Sequence, residues 1–169
     1  NSFLGKNIVI KEIREVSENA HARFNAILRE YKYYITNVKD VYNRDTKFYF
    51  SKKLDLNEID KAIDIIKKNK NFKSFCRSKT DVTNYKCVIN DFKYEIIKSE
   101  LIFTISANRF LRNMVRSIIG TILEIGQSKI SNKELIDIIG KSDRIYAGPS
   151  VPAHGLFLTK VEYPENIFV

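Results

Sequence analysis

The stretch Lys86–Asn108, KCVINDFKYEIIKSELIFTISAN, decides the fold. Two runs rich in Ile, Phe and Tyr, Lys86–Ile97 and Leu101–Ala107, flank the polar Lys98-Ser99-Glu100, the pattern of two strands turning back on each other. A tight connection of this kind makes the paired strands antiparallel. Upstream, Ala22–Asn37 alternates, with Tyr31, Tyr33 and Ile35 on one side and Lys32, Tyr34 and Thr36 on the other. It reads as a long strand with aromatics on both faces. Asn7–Val16 (NIVIKEIREV) alternates in part and reads as a further strand, and LFLTKVEY from Leu156 as the last.

Three helices punctuate these strands. Leu54–Lys70 places Leu56, Ile59, Ile63 and Ile66 on one face, with Asp55 or Asn57 available as cap. Ser131 opens a short helix with a Ser-x-x-Glu capping box, ending at Gly140. Ala107–Gly126 (ANRFLRNMVRSIIGTILEIG) reads as the third, with Gly126 as its C-terminal cap. No βαβ period repeats. The fold class is therefore α+β, a mainly antiparallel sheet with helices packed on one face, in a single domain spanning residues 1–169.

The helix at Ala107–Gly126 poses the functional question. At roughly 100° per residue, Arg109, Arg112, Arg116 and Gly120 share one stripe, while Phe110, Met114, Ile118 and Ile122 lie on the apolar arc. No acidic residue sits three or four positions beyond any of the three arginines, so like charges stack uncompensated. Gly120 costs about 1 kcal/mol of helix propensity relative to Ala, which implies that something approaches the backbone there. Guanidinium groups so placed suit phosphates, or a carboxylate brought in by another segment.

Lys plus Arg number 29 against 20 acidic residues, a formal net charge of +9, which favours a polyanionic partner. Part of that charge lies in Lys67–Lys73, where a lysine run reads equally well as a solvated face. Two cysteines, Cys76 and Cys87, and two histidines, His21 and His154, are too few for a zinc site, and their spacing fits a reduced, cytoplasmic protein. No apolar run reaches the roughly 18 residues of a membrane span. His154 reads as a loop-packing residue rather than an acid or base.

Three blocks, HARFNAILREYKYYI (His21–Ile35), NRFLRNMVRSIIGTILEIG (Asn108–Gly126) and DRIYAGPSVPAHGLFLTKVEYP (Asp143–Pro164), resemble, in order and spacing, the C-terminal half of bacterial tRNA pseudouridine synthase I, the TruA family. The resemblance implies isomerisation of uridines 38, 39 and 40 in the tRNA anticodon arm to pseudouridine by a homodimer, with no metal or organic cofactor. The target nucleotide is expected to be flipped into a pocket. An aspartate attacks the nucleoside, the glycosidic C–N bond breaks, the base turns and a C–C bond replaces it. On this resemblance Arg116 is the active-site arginine that orients the nucleophilic carboxylate. Tyr31 is the tyrosine that stacks on the target base, with Tyr33 second in line, and Leu156 is an apolar pocket residue. Arg109 and Arg112 are read as phosphate contacts, with Arg23 and Arg29 as weaker candidates for the same task. Without the resemblance, Tyr31, Tyr33 and Leu156 read as core residues and the arginines as solvated surface.

The family's nucleophile lies in an Arg-Thr-Asp motif followed by Gly-Val-His, which this sequence lacks. Lys79-Thr80-Asp81 imitates its first half, but Val82 stands where Gly belongs, and the string follows His21–Phe24 instead of preceding it, so Asp81 is a decoy. The opening NSFLGKNIVI resembles the crossing between the family's two halves. The expectation is a C-terminal half that is inactive alone, the nucleophilic half being absent. Two other classes fit the residues: a non-catalytic RNA-binding module, and a dimerisation domain.

Overall fold

A computed structural model of the chain describes residues 1–78 and 82–169. Its strands are β1 (Leu28–Thr36), β2 (Phe48–Tyr49), β3 (Ile89–Ile97), β4 (Glu100–Ala107) and β5 (Leu156–Glu162), and its helices α1 (Leu56–Lys68), α2 (Met114–Gly126) and α3 (Asn132–Lys141). The β3–β4 hairpin forms as its sequence dictates, turning at Lys98 with φ 56°. β4 then runs antiparallel to β1, giving the order β2-β1-β4-β3, while β5 pairs antiparallel with β1 on the edge it shares with the short parallel strand β2. The α+β, mainly antiparallel expectation holds.

Register puts Tyr33 beside Phe103 and Tyr31 beside Ile105, with Phe92 and Tyr94 completing the row on β3. This face carries the core: Tyr33, Ile35, Phe92, Phe103 and Ile105 pack against Ile59, Ile63 and Ile66 of α1 and Met114, Ile118 and Ile122 of α2. α1 is capped by Asp55, whose carboxylate accepts from the Asn57 and Glu58 amides. α3 opens with the full reciprocal capping box between Ser131 and Glu134.

Every residue of α2 except Arg116 and Glu124 is buried, so the helix is enclosed rather than amphipathic at a surface. Two glycines permit this. A Cβ on Gly120 would lie 1.8 Å from the Pro149 carbonyl oxygen, and one on Gly126 would meet Ile59 and Leu54 at 2.9 Å. Gly120 thus marks the close approach that its position on the helix implied. Gly126, by contrast, is no left-handed cap: α2 ends through Gln127 at φ −88°, and α3 ends through Ser142 at φ 52° rather than at Gly140.

Two further expectations are corrected. Asn7–Val16 is not a strand; only Val16 bridges to Phe168, and Ile8, Val9 and Ile13 are exposed because no neighbouring strand receives them. The helix expected from Ala107 begins seven residues later, at Met114. Residues 108–112 bond to other segments instead: Asn108 exchanges hydrogen bonds with the Val88 amide and carbonyl, and the Arg112 carbonyl accepts from the Arg77 amide. Asn113 then turns the chain in the left-handed region at φ 68°.

Candidate functional site

That late start dismantles the arginine stripe. Arg109 and Arg112 sit on the irregular segment before α2, and only Arg116 is helical. Arg116 is half-buried in the first turn. Its Nε–H donates to the Val151 carbonyl at 2.6 Å, and its own carbonyl accepts from the Val151 amide at 3.2 Å. Among the described residues the two Nη groups make no hydrogen bond or ion pair. A half-buried guanidinium fixed at Nε with its fork open can take a second, bidentate partner.

The segment Ala147–Pro152 that pins Arg116 is itself held from several sides. Arg144 donates to the Ala147 carbonyl and to Ser150 Oγ, both at 3.0 Å, and Asn113 Nδ2 donates to the same Ser150 oxygen at 2.6 Å. The Gly148 amide donates to Thr121 Oγ1. Tyr33 completes the fastening, its hydroxyl donating to the Pro152 carbonyl at 2.8 Å. Burial raises the Tyr33 phenol above its ordinary value, and the charge of Arg116 acts the other way. Tyr33 is fully buried and presents no surface to a ligand. Leu156, half-buried, opens β5 opposite Tyr33.

Tyr31 lies one step along the same face of β1, where successive same-face side chains are roughly 7 Å apart. It is half-buried and meets Phe110 edge to face, ring centroids 5.2 Å apart at 86°. Tyr31 borders a cavity of about 630 Å³, lined also by Arg23, Phe24, Arg29, Arg109 and Phe110. Four of the residues singled out from the sequence therefore meet in one place. They are not equivalent. The Arg29 guanidinium donates to the carbonyls of Ala26, Asn108 and Arg23, so it ties the turn before β1 to the segment before α2. The Arg23 guanidinium lies 5.5 Å from the Phe24 ring centroid. The charge of Arg109 opposes the burial that pushes the Cys87 thiol up to about 11.

Arg112 is exposed outside that cavity. His154 is exposed with its ring against Phe48 at 6.5 Å. Asp81 lies outside the described residues. Sequence reasoning missed Asn113, Arg144 and Ser150 because their partners lie across an irregular loop; Gly120 was the one signal that a segment docks on α2. Among the described residues no group of three metal-binding side chains forms, and no helix is long and apolar enough to cross a membrane.

The fold is thus an α+β domain, a mainly antiparallel sheet backed by helices, that carries a basic, aromatic-lined cavity at Tyr31. A family model described as tRNA pseudouridine synthase matches residues 69–164. The chain is 42% identical over 168 residues to the tRNA pseudouridine synthase A of Azobacteroides pseudotrichonymphae, covering 99% of this chain and 68% of that protein. It is 40% identical to that of Bacteroides thetaiotaomicron over 99% of this chain and 64% of the relative, and 35% identical to tRNA pseudouridine synthase A 1 of Bacillus cereus over 96% and 67%. The chain belongs to the tRNA pseudouridine synthase family.

Proposed function

We propose that this chain is the C-terminal part of an enzyme that isomerises uridines 38, 39 and 40 of the tRNA anticodon arm to pseudouridine, acting in the cytoplasm as a homodimer. The observation that carries the reading is the free fork of Arg116, held at Nε by Val151. A carboxylate arriving on a segment outside these 169 residues would accept two parallel N–H bonds from it, which fixes the attacking oxygen and keeps the carboxylate ionised. Tyr31 supplies the ring against which the displaced base stacks, and Phe110 braces that ring at its edge. Arg109 and Arg23 hold flanking phosphates in the cavity, while Arg112 does so from the exposed surface. Arg29 shapes that cavity instead of binding RNA, since its donors are taken by backbone carbonyls. Leu156 contributes apolar wall beside Tyr33.

The 169-residue chain and the full-length enzyme are to be incubated separately with an unmodified tRNA transcript, and pseudouridine counted by nuclease digestion and mass spectrometry. Turnover by the full-length enzyme alone supports the reading. Turnover by the 169-residue chain alone refutes an external nucleophile. RNA binding without turnover in either would favour a binding module.

A further inference from the structure

A second basic groove lies away from Tyr31, where the 3-10 turn Lys73–Phe75 meets the 3-10 turn Arg144–Tyr146 beyond the end of α3. Its volume is about 400 Å³, and its lining includes Lys73, Arg77, Lys141 and Arg144 with, among the described residues, a single carboxylate, Asp143. That carboxylate is already engaged, accepting from the Ile145 amide at 3.1 Å. The cations come from separate segments, so their convergence is a product of the fold and not of a lysine run. Lys141 offsets the negative end of the α3 dipole, but Lys73 and Arg77 belong to no helix terminus of that kind.

The two lysines are also restrained. Lys141 Nζ sits 4.1 Å from the Tyr146 ring centroid and Lys73 Nζ 5.6 Å from that of Tyr85. Such cation–π contacts hold an ammonium in place while leaving donors open. Neither lysine makes an ion pair among the described residues. The groove adjoins the exposed Arg112, whose carbonyl accepts from the Arg77 amide at 2.9 Å. Arg109, three residues before Arg112, lines the cavity at Tyr31, so basic side chains run from one site to the other.

We infer that the groove between Lys73 and Lys141 binds the sugar-phosphate backbone of the tRNA, outside the pocket for the target nucleotide. This rests on tRNA being the substrate. Non-specific phosphate contacts of this kind position an RNA without reading its bases.

Equilibrium binding of the full-length enzyme to a tRNA transcript, measured over a range of salt concentrations, tests it. The double variant Lys73→Glu, Lys141→Glu is expected to weaken binding and to flatten the slope of log K against log salt by roughly 1.4–1.8, at about 0.7–0.9 per lost phosphate contact. Lys73→Gln with Lys141→Gln, which adds no negative charge, is expected to flatten it as well. The charge-matched pair Lys11→Glu, Lys133→Glu, on exposed lysines away from the groove, should leave the slope unchanged. An unaltered slope in the Gln pair, or an equal loss in the Lys11 and Lys133 pair, overturns the groove. Absence of pseudouridine formation by the unmutated full-length enzyme would instead overturn the proposed function, whatever the slopes.

Discussion

Arg116 and Val151 are bonded twice, side chain to carbonyl at 2.6 Å and carbonyl to amide at 3.2 Å, so the guanidinium cannot turn without the loop turning with it. The loop in turn is fastened by Arg144, Asn113 and Tyr33. An arginine prepared this way loses little entropy on meeting a carboxylate, which is the preorganisation that catalysis rewards.

Arg116→Lys keeps the charge but loses both the Nε donor and the planar fork. Turnover in the full-length enzyme is expected to fall by on the order of 10²-fold or more, with tRNA affinity changed by less than about threefold if binding comes mainly from the phosphate contacts. Single-turnover kinetics beside filter binding would separate the two. Full turnover in the Lys variant would remove Arg116 from the chemistry.

Gly120→Ala and Gly140→Ala should have opposite signs. The first drives a Cβ into the Pro149 carbonyl at 1.8 Å, a backbone atom that can yield only if the whole loop shifts. Overpacking of this kind costs about 1–3 kcal/mol, or a Tm lower by roughly 2–12 °C for a domain of this size, and it disturbs Arg116 too. Gly140 lies inside α3 with nothing within 4 Å, so Ala there should stabilise by about 0.5–1 kcal/mol. Thermal unfolding of both variants checks the pair.

What could be read along the chain, and what could not, divides by the range of the interactions. The hairpin at Lys98, the Asp55 cap and the Ser131 capping box rest on residues within a few positions of one another, and each forms as read. The start of α2 depends on Val88 and Arg77, which lie far earlier in the chain than Asn108 and Arg112, their respective partners, and helical periodicity carries no trace of them. Ile8, Val9 and Ile13 show the converse failure, a strand pattern without a partner. At the candidate site residue types were legible, but the division of labour was not: Arg23, Arg29 and Arg109 look alike until Arg29 is seen bonded to three carbonyls.

That division is testable. Arg29→Gln should lower the unfolding temperature, because the part-buried Ala26 carbonyl and the exposed Asn108 carbonyl lose their donor, at about 0.5–1.5 kcal/mol for a hydrogen bond whose acceptor water can still reach. Arg109→Gln together with Arg112→Gln should leave that temperature nearly unchanged while flattening the salt dependence of tRNA binding by roughly 1.4–1.8. Exchanged outcomes would reverse the assignment.

Acid should loosen the helix caps. Hydrogen bonds from the Ser131 backbone and side chain hold Glu134 below the ordinary carboxylate range, and bonds from Lys61 and Asn132 do the same for Glu58. A lowered folded pKa contributes stability that is fully present above the unfolded value near 4.5 and is lost as pH falls through the folded one. The urea midpoint should therefore drop on acidification below about pH 4.5, and less steeply in Glu134→Gln. Cys87 runs the other way: burial raises its thiol to about 11, so its contribution is complete below the unfolded value of 9.0 and fades as pH rises toward 11.

Tyr31 allows the sharpest separation of ring from hydroxyl. Its ring meets Phe110 edge to face, whereas among the described residues its hydroxyl makes no hydrogen bond. Stacking on a base needs the ring alone. Tyr31→Phe should therefore retain most of the turnover, while Tyr31→Leu, apolar but smaller and without a π face, should lose base stacking worth about 1–3 kcal/mol, or roughly 5- to 150-fold in kcat/KM. A fluorescent base analogue at the target position reports stacking directly, and its quenching should persist in the Phe variant and vanish in the Leu variant. Equal loss of turnover in Phe and Leu would assign the role to the hydroxyl and make Tyr31 a proton carrier, for which burial has already moved its phenol in the unfavourable direction, upward from 10.0.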